Sequence, residues 1–347
     1  PPPPPPIPPP PPPPNYTTAK SSAASDVYKR QVMRGLRLLQ KHGVEYNVLV
    51  AVNRTNADYP LVVYRFLRDE AKTTWIQFIP VVERIDEAGH TIYQKGTQIS
   101  QRSVRAEQWG RFLIQVFDEW VQHDVGRVYV QTFEAAVRNW LRLPSSGMCV
   151  FEETCGLGLA LEHNGDLYSC DHFVEPDYLL GNIMEGLGGV TPPLLAMVNS
   201  EKQRQFGRDK RDTLPRYCRE CDVLFACHGE CPKNRFLTAP DGEPGLNHLC
   251  AGWKAFFHRV DEPLRMMAVL MRMGRPASEI MDVMAGEEGE WREALGQFRV
   301  RRRRKDLCLC GSRLPFGECH GWTRPERARK FRQAGARQPR PPVRAKQ

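Results

Sequence analysis

The sequence predicts an α/β protein: part of a (β/α) barrel, then a loop-rich region built on cysteines, then a small C-terminal Cys/His element. Three observations carry this reading. Apolar, β-rich runs alternate with amphipathic helical stretches between Val32 and Leu143; eight cysteines crowd between Cys149 and Cys250; three more stand with a histidine between Cys308 and His320. Strands that alternate with helices imply parallel β/α units, because each crossover helix covers a face of the sheet.

Pro1–Pro14 is proline broken only by Ile7, without the backbone donors that helix or sheet needs, so it is polyproline II at most. Asn15–Gln31 is small and polar and ends like translated adaptor sequence. Residues 1–31 are therefore read as low-complexity and no part of the fold. Met33–His42 is helical and stops at Gly43, and Glu45–Val52 is a β-rich apolar run. A helix is expected from about Ala57 to Ala71, with Pro60 in its first turn, followed by a strand over Thr74–Val82. Ser103–His123 is a long amphipathic helix with Trp109, Phe112, Leu113, Val116, Phe117 and Trp120 on one side. A strand at Arg127–Thr132 and a helix at Ala135–Leu143 complete this part. Three strands are too few to close an eight-stranded barrel. After Pro144 the periodicity fades while Gly and Cys rise, and regular structure resumes with a helix around Trp253–Met273.

With 347 residues, 41% of them hydrophobic, the chain can bury a sizeable core. Its formal charge of +9 is uneven: 16 Lys/Arg against three acidic residues lie between Arg299 and Gln347, a local +13 that leaves residues 1–298 near −4. A basic tail on a mildly acidic body does not make a nucleic-acid-binding surface, and nucleic acid is not an expected partner. That tail, poor in aromatic residues, is expected to be solvated and disordered. No run of about 18 apolar residues and no signal-peptide pattern is present, so the expectation is a cytoplasmic protein with no membrane partner.

Eleven cysteines in a reducing compartment favour metal over disulfides. The spacing is Cys149-x5-Cys155-x14-Cys170, then Cys218-x2-Cys221-x5-Cys227-x3-Cys231-x18-Cys250. Eight thiolates make two sets of four, and each set suits either a [4Fe–4S] cluster or tetrahedral zinc. The spacing does not separate the two.

The runs CVFEETCGLGLALEHNGDLYSCDHF, CRECDVLFACHGECPKN and HLC resemble the SPASM domain of radical S-adenosylmethionine enzymes, and within that group the anaerobic sulfatase maturases. The resemblance covers roughly residues 32–262. It implies a partial radical-SAM barrel followed by two interleaved auxiliary [4Fe–4S] clusters: Cys149, Cys155, Cys170 and Cys231 on the first, Cys218, Cys221, Cys227 and Cys250 on the second. It also implies that Asp171, directly after the third cysteine, is the general base toward the substrate thiol or hydroxyl; by residue type alone it is an ordinary turn residue. His163, His172 and His228 are assigned no role.

Enzymes of this kind cleave S-adenosylmethionine at a third cluster on a CxxxCxxC motif. The resulting radical takes a β-hydrogen from a sulfatase Cys or Ser, and loss of a proton and an electron leads to Cα-formylglycine. A sulfatase polypeptide as substrate and a flavodoxin or ferredoxin as electron donor are implied partners. No cysteine precedes Cys149 here, so the chain as written is expected to be N-terminally truncated and not to generate the radical. The alternatives are a SPASM enzyme acting on another peptide, and a non-catalytic zinc-binding module.

Cys308-x-Cys310-Gly-Ser-x6-Cys319-His320-Gly resembles the SEC-C zinc motif, with Cys308, Cys310, Cys319 and His320 as closed tetrahedral ligands. The expected domains are 1–31, 32–147 (barrel part), 148–262 (SPASM), 263–300 (helical linker), 301–322 (SEC-C) and 323–347 (basic tail).

Overall fold

A computed structural model describes residues 22–285 save 87, 90, 93–95 and 186–192. The SEC-C segment and the basic tail lie outside the described residues. The chain divides into two units, residues 1–46 and 47–347. In the first, α1 spans Ser22–Lys41, beginning within the residues read as no part of the fold. It ends at Gly43, where φ of +64° suits a residue without Cβ and Val44 N–H bonds back to Leu39 O at 3.0 Å. Ser22–Gln31 is polar and lacks an apolar stripe, so periodicity marks the helix only from Met33 onward.

The second unit is mixed α/β. Strands β1 (Val48–Val52) and β2 (Trp75–Pro80) pair in parallel, with Val48 opposite Ile76. Between them runs α2 (Pro60–Arg65), opened by Pro60 and extended by a π turn over Phe66–Glu70. A small antiparallel sheet of β3 (Arg84–Ile85), β4 (Thr91–Ile92) and β5 (Gln98–Ile99), with β3 in the centre, follows, its strands too short for periodicity to reveal. Next comes α3 (Ala106–His123), and then β6 (Tyr129–Val130), parallel to β2, gives the order β1-β2-β6. The strand expected over Arg127–Thr132 keeps only those two residues. From Gln131 the chain is already helical, as α4 (Gln131–Leu141), since Thr132, Phe133 and Ala136 bury on the helix side.

The predicted stripe of α3 is the core: Trp109, Phe112, Leu113, Val116, Phe117 and Trp120 are all fully buried. They meet the inward face of the sheet (Val52, Ile76, Phe78, Val130) on one side. On the other lies α9 (Cys250–Arg272), with Trp109 and Trp253 edge to face at 5.4 Å and Phe133 stacked on Phe256 at 5.8 Å. Helices α3 and α9 cross at Gly110 and Gly252, where a Cβ on Gly252 would lie 2.1 Å from Ala106 O. This crossing ties the parallel sheet to the helix that begins at Cys250.

Where periodicity fades, the structure supplies order of its own. Strands β7 (Ala160–Leu161), β8 (Asp166–Tyr168) and β9 (Leu179–Asn182) form an antiparallel sheet. Helices α5 (Pro193–Val198), α6 (Glu201–Asp212), α7 (Arg216–Arg219) and α8 (Leu224–Cys227) follow, then the antiparallel pair β10 (Arg235–Thr238) and β11 (Pro244–Asn247). Helix α9 runs across the domain boundary expected at 262, and α10 (Ile280–Ala285) ends the described chain. Among the described residues no helix is long and apolar enough to cross a membrane.

Candidate metal centre

Helix α6 organises the first cysteine set. Its sequence, EKQRQFGRDKRD, is so polar that helical periodicity is faint, yet Gln203, Gly207 and Lys210 are buried at the i, i+4, i+7 spacing of one face. Ser200 caps it, its hydroxyl oxygen accepting from Gln203 N–H at 3.2 Å. Each buried residue holds one cysteine-bearing loop. Lys210 Nζ donates to Cys149 O at 2.6 Å and Val150 O at 3.0 Å. Gly207 O accepts from Cys155 N–H at 3.1 Å, and a Cβ on Gly207 would lie 2.5 Å from Cys155 O. Gln203 Nε2 donates to Gly156 O at 2.7 Å and to Ser169 O at 3.1 Å, beside Cys170.

Cys231 completes the group. Its Sγ lies 3.5 Å from His172 Nδ1, and Cys170 Sγ lies 3.2 Å from Asp171 Oδ1. Ligand atoms of Cys170, Asp171 and His172 are all within 4.8 Å of one another. Burial pushes all four thiols up, Cys170 to about 12, and neighbouring thiols add to it: Cys149 acts on Cys155, Cys155 on Cys170, Cys170 on Cys231. Lys210 is itself pushed down by burial and drawn back up by Cys155 and Cys231.

Cys218, Cys221, Cys227 and Cys250 line one recess, together with Tyr217, Trp253 and Lys254. Cys218 sits on α7, Cys221 in the turn after it, Cys227 at the end of α8 and Cys250 at the start of α9. Burial raises these thiols as well, Cys250 to about 11 with Cys218 and Cys221 contributing. Cys227 and Cys231 are therefore four residues apart yet face different groups. The turn between them has three successive residues at positive φ: His228 (45°), Gly229 (71°) and Glu230 (52°).

All eight cysteines are free thiols. Two groups of four soft sulfur donors, all but the exposed Cys149 at least partly buried, suit a [4Fe–4S] cluster or zinc, and either would relieve the cost of placing thiolates near one another. The residues present fit such groups. Asp171 is exposed beside this set. His163 is exposed, His228 forms the left-handed cap of α8, and His172 touches Cys231. Cys308, Cys310, Cys319 and His320 lie outside the described residues.

Sequence reasoning missed Lys210, Gln203 and Arg235, whose side chains hold backbone of the cysteine-bearing loops, and Glu230, whose carboxylate accepts from Asn234 and Asn247. For Lys210 and Gln203 the sequence carried no usable signal, because α6 is polar nearly all round and other charged residues flank them. Arg235 carried none either.

Residues 153–222 match the SPASM iron–sulfur cluster-binding domain, and residues 304–321 match the SEC-C motif. The serine-type anaerobic sulfatase-maturating enzyme of Bacteroides thetaiotaomicron is 45% identical over 255 residues, 72% of this chain and 60% of that protein. The serine-type enzyme of Klebsiella pneumoniae is 33% identical over 67% of this chain and 53% of its own length. The cysteine-type enzyme of Clostridium perfringens strain 13 is 26% identical over 65% and 57%. The chain thus spans about 60% or less of these relatives. A solved structure, native anSMEcpe with bound AdoMet, has the same fold over 68% of this chain and 60% of that one, with a TM-score of 0.57 and 24% identity.

Proposed function

We propose that this chain, homologous to the anaerobic sulfatase-maturating enzymes and carrying an iron–sulfur cluster-binding domain, serves the oxidation of a sulfatase serine to Cα-formylglycine. Serine is preferred to cysteine because relatives at 45% and 33% identity are serine-type, against 26% for a cysteine-type one. What supports the proposal is the placing of Cys218, Cys221, Cys227 and Cys250 around one recess, and of Cys170 between the exposed Asp171 carboxylate and the neighbouring Cys155 and Cys231.

Cys149, Cys155, Cys170 and Cys231 hold one [4Fe–4S] cluster, and Cys218, Cys221, Cys227 and Cys250 the other. When bound, such clusters would accept single electrons, while the radical that takes the substrate's β-hydrogen would have to come from S-adenosylmethionine at a CxxxCxxC cluster whose cysteines this sequence does not contain. Asp171 acts as general base, its carboxylate taking the hydroxyl proton as the carbon–oxygen double bond forms. Helix α6 keeps Cys170, and with it Asp171, in register with the other thiols through Gln203, Gly207 and Lys210. Cys308, Cys310, Cys319 and His320 hold one zinc ion. The working partners are a sulfatase polypeptide and a flavodoxin- or ferredoxin-type electron donor, in the cytoplasm. Barrel part, SPASM domain and SEC-C motif divide at about residues 32–147, 148–262 and 301–322.

The test is iron, sulfide and zinc content with the visible spectrum, on protein reconstituted without oxygen beside Cys231→Ala. About eight irons, falling by about four in the variant, are expected, with zinc near one per chain. Zinc without iron would overturn the proposal in favour of a zinc-binding module.

A further inference from the structure

Between the two cysteine groups sits a guanidinium whose donors all go to backbone. Arg235 Nε donates to Gly229 O at 2.9 Å, Nη1 to Lys210 O at 2.6 Å, and Nη2 to His228 O at 2.8 Å and Glu230 O at 3.1 Å. Three of these four carbonyls belong to consecutive residues, the left-handed turn His228–Gly229–Glu230. Such a run is costly for His and Glu, which carry a Cβ, and persists only where the surroundings over-determine it. The guanidinium supplies that determination, since a planar fork with five fixed donors can gather carbonyls from three sides at once. The fit is close: a Cβ on Gly229 would lie 2.6 Å from Arg235 Nη2 and 2.4 Å from Leu214 Cδ2.

The ends of this turn are Cys227, which faces the recess with Cys218, Cys221 and Cys250, and Cys231, which faces Cys170 and His172. The turn therefore sends neighbouring cysteines to different groups. From the other side Asn247 fastens the same backbone, its Nδ2 donating to Glu230 Oε2 at 2.6 Å and to Cys231 O at 3.3 Å. Glu230, only 3% exposed, also accepts from Asn234 Nδ2 at 3.1 Å. Charge follows the same geometry. Cys218 and Cys227 of one group and Cys231 of the other all lie within Coulombic reach of Arg235, whose charge no accessible pH removes.

We propose that Arg235 is a positioning residue shared by the two metal centres: it shapes the Cys227–Cys231 turn so that its ends ligate different clusters, and it holds a fixed positive charge between them. The inference rests on the two-cluster reading above. A cation beside a cluster favours the more negative, reduced state, so it raises the midpoint potential of each couple. Lys210, its ammonium under the Cys149 loop, adds charge on one side, and the Glu230 carboxylate offsets part of it.

The test compares the full chain with Arg235→Gln and Arg235→Lys, all reconstituted without oxygen, by iron content and by redox titration followed with electron paramagnetic resonance. In Arg235→Gln, iron content is expected to fall, and both midpoints of the clusters retained are expected to shift negative. The reduced-to-oxidised ratio at fixed potential should drop about tenfold, 59 mV for a one-electron couple. In Arg235→Lys, iron is also expected to fall, because an ammonium cannot span carbonyls on three sides, while the midpoints of retained clusters stay with the parent. A Gln variant with parental iron and unmoved midpoints overturns the inference. Should the Gln variant fail to fold, a Lys variant with parental iron overturns it. A parent chain that takes up no iron overturns the two-cluster reading, and this inference with it; a parent with eight irons beside indifferent variants overturns the inference alone.

Discussion

Gly252→Ala reverses the sign that local chemistry predicts. Gly252 is the third residue of α9, where Ala is favoured over Gly by at most about 1 kcal/mol, so on propensity alone the change should stabilise the helix. At the crossing with α3, however, the new Cβ would meet Ala106 O at 2.1 Å, Gly110 N at 2.9 Å and Ala106 C at 3.1 Å. Every one of these atoms is backbone, so no rotamer change relieves the contact. Reaching an ordinary separation of 3.4 Å requires the helices to part by about 1.3 Å, which opens the Trp109–Trp253 contact and displaces Cys250 two residues upstream. Overpacking costs roughly 1–3 kcal/mol, and a backbone clash belongs at the upper end. Set against propensity, a net loss of roughly 2 kcal/mol remains, or a Tm lower by about 4–8 °C for a unit of this size. The assay is a thermal melt by far-ultraviolet circular dichroism at one scan rate, with Gly35→Ala as control, because Gly35 in α1 has nothing within 4 Å of its built Cβ. The control should melt no lower than the parent. A Gly252→Ala protein that melted with the control would refute the close-crossing argument.

Lys210→Met removes both side-chain hydrogen bonds to the Cys149 loop, leaving Cys149 O with the Glu152 N–H at 3.3 Å and Val150 O without the ammonium. A loss of about 1–3 kcal/mol is expected, visible as a lower melting temperature of the metal-free protein. Tyr64→Phe deletes the hydroxyl that donates to Asp124 Oδ2 at 2.8 Å, at an expected cost of about 1 kcal/mol. Burial first, then Asp124, holds the Tyr64 phenol well above its ordinary value of 10.0, so the stability it brings is present below pH 10 and lost above it. The parent should therefore weaken above pH 10 more steeply than Tyr64→Phe, as read by chemical denaturation across that range; parallel curves would count against the burial. Cys308→Ser with Cys319→Ser should remove about one zinc per chain and leave iron unchanged, by elemental analysis.

The aromatic stripe of α3 was legible because burial follows periodicity: six apolar residues at helical spacing can satisfy only one face. The eight cysteines stood out by identity as candidate ligands, since few other residue types at such spacing suit soft metals. Helix α6 was not legible, because its chain is polar nearly all round and only tertiary contact distinguishes Lys210, whose ammonium ends against two carbonyls, from Arg208 or Arg211 on the surface. The short strands β3 to β5 and the early start of α4 escaped for a similar reason, two-residue strands having no period to read.

By itself the sequence determined which atoms are available: the sulfur donors, the carboxylate after Cys170, the apolar faces and the helix-terminating glycines. Those follow from composition and local spacing, which the chain carries wherever it goes. Tertiary structure alone decided which way Cys227 and Cys231 face, and the reason lies in one turn. Four residues separate Cys227 from Cys231, and nothing in that interval says they face opposite ways. What turns them apart is a guanidinium four positions beyond Cys231, holding three carbonyls that only the folded chain brings within its reach.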